Sequence, residues 1–82
     1  MKTIKIAPDA SECRVVGNEV IGEFNGRTLV YQIPSDIEVY AYQHANLIEN
    51  FRAAIAMSSR SWQAERMLNE HYGINGKFYE KQ

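Results

Sequence analysis

The dipeptide Asn25-Gly26 constrains the fold of this chain more than any other local feature. A two-residue hairpin turn of type I′ requires a positive φ at both central residues, which Asn tolerates and Gly adopts freely. With these two residues as the loop, the flanking strands pair through Phe24 with Arg27, Gly22 with Leu29, and Val20 with Tyr31. The dipeptide therefore predicts an antiparallel hairpin with a defined register.

A second two-residue turn, Gly17-Asn18, fixes the register of one more strand by pairing Val15 with Val20 and Cys13 with Gly22. The two turns independently place the same side chains on one face, namely Cys13, Val15, Val20, Gly22, Phe24, Leu29, Tyr31 and Ile33. Because successive side chains alternate between the faces of a strand, a slip of one residue at either turn would scramble this set. The agreement predicts a three-stranded antiparallel meander.

Two further features of residues 1–33 add to the predicted sheet. The segment Thr3–Ala7 alternates around Ile4 and Ile6, which predicts a fourth strand. Gly22 falls in the middle of a strand, where a glycine marks either a bulge or a place at which a helix approaches closely.

The opposite face of the meander is mostly polar, but Val16, Ile21 and Val30 form an apolar stripe across it. Such a stripe is either an ordinary solvated face built from good strand formers, or a contact surface for a partner or a second subunit. Both interpretations stay open at this point.

The chain after Pro34 carries a helical pattern. Ser35-Asp36-Ile37-Glu38 matches a capping box. Apolar residues then recur at spacings of three and four, which predicts an amphipathic helix that ends near Met57. Residues 37–42 also alternate as a strand would, so a strand over these six residues is the alternative.

A second helix is predicted after the segment Ser58-Ser59-Arg60-Ser61, whose serines offer N-caps. It runs to Tyr72, and Gly73 supplies the stop. The tail, residues 74–82, either docks as a short strand or frays. We therefore predict a single α+β domain over residues 1–82, with the meander in 1–33, two helices on one face of the sheet in 35–73, and the short tail in 74–82.

The length and composition of the chain bear on its stability, its oligomeric state and its location. At 82 residues, burial leaves a margin of only about 3–5 kcal/mol in a typical domain. Cys13 is the single cysteine, so no internal disulfide is available, and this favours oligomerisation, a homodimer in the simplest case. A lone cysteine, the lack of a signal-like apolar run and the lack of a stretch of membrane-spanning length indicate a cytoplasmic protein that does not enter a membrane.

Catalytic and metal-binding patterns are missing from the sequence. Cys13, His44 and His71 are scattered without the spacing of a metal site or a motif that pairs a nucleophile with a base. We expect Cys13 to be an inert core thiol, His44 a core or rim residue, and His71 a favourable charge near a helix C-terminus. The sequence therefore predicts neither an enzyme nor a bound cofactor or metal.

Two groups of residues have the character of a partner-binding surface. The first group lies at the predicted junction between the helices and along the second helix, and it consists of Arg60, Trp62, Arg66 and Asn69. Tryptophan and arginine are enriched among interface residues that dominate binding energy, although a lone tryptophan in a small domain is also a common core residue. The second group is the stripe Val16, Ile21 and Val30.

A nucleic-acid alternative follows from the order of elements. Residues 27–72, a strand followed by two helices, resemble the ribbon-helix-helix repressors, in which a strand from each of two chains enters the major groove. That resemblance implies a DNA-binding regulator. The first predicted helix is longer than in that family, Arg27 is the only basic residue of the strand, and the net charge is −1. This charge balance argues against non-specific nucleic-acid binding.

In overall type the chain resembles the small accessory or inhibitor proteins that phages and other mobile elements encode. The resemblance lies in size, near-neutral charge and the lack of catalytic motifs. It implies a non-enzymatic binding protein that regulates or inhibits a larger protein through protein–protein contacts.

Overall fold

The computed structural model describes residues 13–24 and 26–81 of the chain. Four strands, β1 (Cys13–Val16), β2 (Glu19–Phe24), β3 (Arg27–Gln32) and β4 (Lys77–Lys81), form one antiparallel sheet in the order β1-β2-β3-β4. Two helices, α1 (His44–Ala56) and α2 (Ser61–Tyr72), lie between β3 and β4 in the chain, and a 3₁₀ turn (Ala41–Gln43) precedes α1. The architecture is the predicted α+β fold with an N-terminal meander.

The strand registers are those predicted from the turns. Cys13 pairs with Gly22 across β1 and β2, and Gly22 pairs with Leu29 across β2 and β3. Gly17 and Gly26 adopt φ values of 59° and 80°, the left-handed conformation that these turns require. Asn25 and the predicted strand Thr3–Ala7 lie outside the described residues.

The helices cover the predicted inner face of the sheet. Phe51 of α1 is fully buried at the centre of the core, with its ring 6.0 Å from that of Phe24 and 5.6 Å from that of Phe78. The buried core cluster also contains side chains from the sheet, from both helices and from the segment after β3: Cys13, Val20, Leu29, Tyr31, Ile33, Leu47, Ala54, Ala64 and Leu68.

Gly22 provides the space in which α1 packs on the sheet. A Cβ atom at this position would lie 2.6 Å from a ring atom of Phe24 and 2.8 Å from a ring atom of Phe51. Gly22 keeps its regular pairing with Cys13 and Leu29. Of the two predicted explanations, close approach of a helix is therefore correct and a bulge is not.

The start of the first helix was predicted wrongly. Residues 37–40 form neither the predicted helix nor the alternative strand, and α1 begins only at His44. The side-chain amide of Asn18 donates hydrogen bonds to the main-chain oxygens of Pro34, at 2.8 Å, and Ile37, at 2.6 Å. These bonds tie the segment to the β1–β2 turn, and Ile37 and Val39 still pack against the core without a helix.

The second helix has the predicted bounds, but its N-terminal cap differs from the prediction. Arg60 is the N-cap residue, and the side-chain oxygen of Gln63 accepts hydrogen bonds from the main-chain N–H groups of Ser59 and Arg60. The serine hydroxyls therefore do not supply the cap. At the other end Gly73 adopts a φ of 68°, and its N–H donates to the main-chain oxygen of Asn69.

The tail forms β4, so docking as a strand is the correct alternative. Tyr31 pairs with Phe78 and Val30 with Tyr79, which makes β3 a central strand. The alternation of strand side chains then places Phe78 in the core and Tyr79 on the outer face of the sheet.

Candidate functional site

The strongest candidate site is the junction between α1 and α2. Ala64 and Leu68 are one turn apart and face the core. Trp62 and Arg66 each precede one of these residues by two positions, which is a rotation of about 200° on a helix, so they point to the opposite side. This geometry explains why Trp62 keeps 58% of its surface exposed.

Two exposed methionines lie on either side of Trp62 in the chain. Met57, directly after α1, is 73% exposed, and Met67 is 36% exposed. Met67 contacts the junction, since its sulfur lies 3.4 Å from the hydroxyl of Ser58. We refer to Met57, Arg60, Trp62, Arg66 and Met67 as the junction surface.

A cleft of about 240 Å³ lies between the junction and strand β3. Its apolar lining is contributed by the sheet and both helices, through Leu29, Ile55, Ala64 and Phe78. Its polar lining consists of Arg27 from β3 and the segment Ser58–Ser59–Arg60–Ser61. Two arginines from distant parts of the sequence thus line one cleft.

The charges around the junction are unequally neutralised. Arg27 pairs with Glu80 at 2.9 Å, and Arg66 pairs with Glu70 one turn along α2 at 3.1 Å. The hydrogen bond from Arg27 lowers the pKa of the Glu80 carboxyl, which keeps this carboxylate ionised. Within residues 13–24 and 26–81, Arg60 forms no ion pair.

Arg60, Trp62 and Arg66 are therefore exposed together, as the prediction of a binding surface requires, whereas Asn69 is not part of that surface. Its side-chain oxygen accepts hydrogen bonds from the Tyr31 hydroxyl at 2.6 Å and from the Gly76 N–H at 2.9 Å. Its amide donates to the Gly76 carbonyl at 3.1 Å. Asn69 thus holds the start of β4 against α2 and the sheet, so its role in the chain is structural.

The predicted stripe on the outer face of the sheet is only partly available for contact. Val16, beside the β1–β2 turn, is 54% exposed, but Ile21 and Val30 are 7% and 1% exposed. Val30 pairs with Ile21 on one side and with Tyr79 on the other. The expectation of an exposed surface is therefore wrong for Ile21 and Val30, since both side chains are buried.

A second aromatic surface was missed by sequence reasoning. Tyr42 is 82% exposed and its ring stacks on that of Tyr40 at 5.8 Å, while the Tyr40 hydroxyl donates to Glu38. Tyr42 also borders a smaller cleft of about 210 Å³ together with Tyr72. The strand-like alternation of residues 37–42 contained a signal for this pair, since it places Tyr40 and Tyr42 on one side.

The residues considered for chemistry do not converge. His71 is exposed, with its ring 4.7 Å from that of Tyr72, and Cys13 is in the core. In the part of the chain that the structure describes, no three His, Cys, Asp or Glu side chains are grouped as a metal site would require. No described helix has the length and apolarity needed to cross a membrane.

Strand β3 bears on the resemblance to ribbon-helix-helix repressors. That family uses a strand that pairs with its equivalent in a second chain. Here β3 is hydrogen-bonded to β2 along one edge and to β4 along the other. Its main chain is thus not open to pairing with another chain in this fold.

Comparison with protein-family models, with curated proteins and with solved structures gives no match.

Burial of the Tyr31 hydroxyl makes stability depend on pH in the alkaline range. Burial raises the pKa of the Tyr31 hydroxyl from its ordinary value of 10.0 to about 12, with smaller contributions from Tyr72 and Glu65. Because folding raises this pKa, Tyr31 contributes fully to the stability of the folded protein below pH 10.0. The contribution is lost as the pH rises towards about 12.

We expect the free energy of unfolding to fall by about 1–2 kcal/mol over this range through Tyr31, since solvent screening reduces the full effect of the shift. Urea denaturation of the wild type and of Tyr31→Phe at several pH values measures this term. The difference in stability between the two proteins should shrink above pH 10.0. A constant difference up to pH 12 would show that Tyr31 does not carry the effect.

Proposed function

We propose that this chain is a non-enzymatic binding protein that regulates or inhibits a larger protein by contacting it through the junction surface. The observation that carries the proposal is that Trp62, the single tryptophan of the chain, keeps 58% of its surface exposed on a small domain. Exposing an indole ring to water is unfavourable, and burial against a partner relieves that cost.

The composition of the junction surface supports this role. Tryptophan and arginine dominate the binding energy of many interfaces, and Trp62 is flanked by Arg60 and Arg66. Methionine side chains are flexible and polarisable, so Met57 and Met67 adapt to the shape of a partner. The adjacent cleft, at about 240 Å³, is below the range of roughly 300–1,000 Å³ of typical small-molecule sites. Its size suits a side chain of a partner better than a cofactor.

The proposal is tested by affinity capture from nuclease-treated extract of the source organism, with the wild type, Trp62→Ala and Tyr42→Ala compared by quantitative mass spectrometry. Tyr42→Ala is a matched control because it removes an even more exposed aromatic ring away from the junction. We expect Trp62→Ala to reduce partner recovery by at least about tenfold, as for a dominant interface residue. Tyr42→Ala should recover the partner as the wild type does.

Circular dichroism should show that both variants fold, since both side chains are largely exposed. Equal recovery by the wild type and Trp62→Ala would contradict the proposal. Loss of the partner in Tyr42→Ala alone would place the contact at Tyr40 and Tyr42 instead. Recovery of only a co-expressed, differently tagged copy of the chain would identify a homodimer and contradict a regulatory role towards another protein.

A further inference from the structure

We propose that the cleft between β3 and the junction binds an acidic side chain of the partner protein, so that the partner's docking segment carries a glutamate next to an apolar residue. This inference rests on the proposed function, because the cleft shares Arg60 with the junction surface. It adds the chemistry that the partner must have.

The charge of the cleft selects an anion. Arg27 and Arg60 both line it, and no acidic side chain is among its described lining residues. A guanidinium group has five N–H donors, of which Glu80 uses one on Nη2 of Arg27. Arg27 therefore keeps donors for a second carboxylate, and Arg60, which also lines the cleft, forms no ion pair in the described chain.

The lining below these charges favours a side chain with an aliphatic stem. Leu29, Ile55, Ala64 and Phe78 supply apolar surface beneath the polar rim. The two methylene groups of a glutamate can lie on this surface while its carboxylate reaches the guanidinium groups. An apolar neighbour in the same segment would then be placed against Met57 or Trp62, which flank the segment 58–61 in the chain. A peptide that is both acidic and apolar fits the cleft and the junction surface together.

The test uses short capped peptides as probes and the full chain labelled with ¹⁵N. Three peptides share the sequence Gly-Leu-X-Leu-Gly, with glutamate, glutamine or lysine at X. In a titration followed by NMR, we expect the glutamate peptide to shift the amide signals of residue 27 and residues 58–61. The glutamine peptide should bind about tenfold more weakly, because a charge-assisted hydrogen bond to the carboxylate is lost. The lysine peptide should not bind.

Substitutions of single charged residues show which side chains recognise the carboxylate of the peptide. Arg60→Gln should weaken the glutamate peptide by about tenfold and leave the glutamine peptide unchanged. Glu80→Gln should tighten binding of the glutamate peptide by roughly threefold, because it removes the carboxylate that competes for Arg27. Arg14→Gln is the matched control, since it removes the same charge from an exposed position on β1. A structural role of Glu80 alone would not tighten binding.

The result that overturns the inference is equal binding of the glutamate and glutamine peptides, or signal shifts that avoid the cleft. A single-stranded oligonucleotide that shifts the same amides at lower concentration than the glutamate peptide would also overturn it. If these results occur while Trp62→Ala still loses the partner, the proposed function stands. Only the inference that the partner supplies an acidic side chain to the cleft is then wrong. If the peptides discriminate as expected and Trp62→Ala keeps its partner, the junction surface is wrong.

Discussion

Replacement of Phe51 by Ala is expected to unfold most of the protein at room temperature. Phe51 has no exposed surface, and its ring lies between those of Phe24 and Phe78. Truncation of a buried phenylalanine costs about 3–5 kcal/mol, from lost burial and from the cavity left behind. That cost equals the whole margin of about 3–5 kcal/mol typical of a domain this small.

Urea denaturation followed by circular dichroism measures this effect, and it avoids the exposed Trp62 as a probe. Tyr42→Ala is the control, because an exposed aromatic residue should change stability by less than about 0.5 kcal/mol. A stable, cooperatively folded Phe51→Ala variant would mean that α1 does not pack on the sheet through this ring.

The second large effect is expected for Asn69→Ala. The substitution removes the acceptor of the buried Tyr31 hydroxyl and both hydrogen bonds to Gly76. Tyr31 is 1% exposed, so its hydroxyl would be left in the core without this partner. Leaving one or two buried polar groups unsatisfied should destabilise the protein by about 2–4 kcal/mol.

This variant also separates a structural residue from a binding residue. At a temperature at which Asn69→Ala is folded, this variant should capture the partner as well as the wild type does. Trp62→Ala, by contrast, should keep its stability and lose the partner. Loss of capture by folded Asn69→Ala would return this residue to the binding surface. Unchanged stability would show that the link between α2, β3 and the start of β4 is not needed for the fold.

The meander could be predicted from the sequence because its information is local. Each turn specifies a register by itself, and the two registers had to agree on the face of Gly22 and Val20. The end of α2 was predictable for the same reason, since Gly73 adopts the left-handed conformation that stops a helix.

The start of α1 could not be predicted from local pattern. The spacing of apolar residues after Ile37 is that of a helix, yet the side chain of Asn18 binds the main chain of Pro34 and Ile37 from a distant turn. Such long-range hydrogen bonds override local propensity and leave no periodic signal. The burial of Ile21 and Val30 could not be predicted either, because the alternation of a strand assigns each side chain to a face but does not say whether that face is buried.

The candidate site was predictable in part. Trp62 and Arg66 each precede a buried residue of α2, Ala64 or Leu68, by two positions. This offset places Trp62 and Arg66 on the exposed side of the helix, so their exposure could be predicted. Asn69 lies on the same helix, but its hydrogen bonds to Tyr31 and Gly76 depend on the docking of β4. Arg27 became part of the site only because the hairpin brings it to the cleft beside the junction.

Hydrogen–deuterium exchange of the chain in complex with its captured partner tests the junction surface most directly. We expect slower exchange at residues 57–62 in the complex, with the amides of Ala41–Gln43 unchanged. Protection confined to Tyr40 and Tyr42 or to the outer face of the sheet, with residues 57–62 exchanging as in the free chain, would contradict the proposed contact.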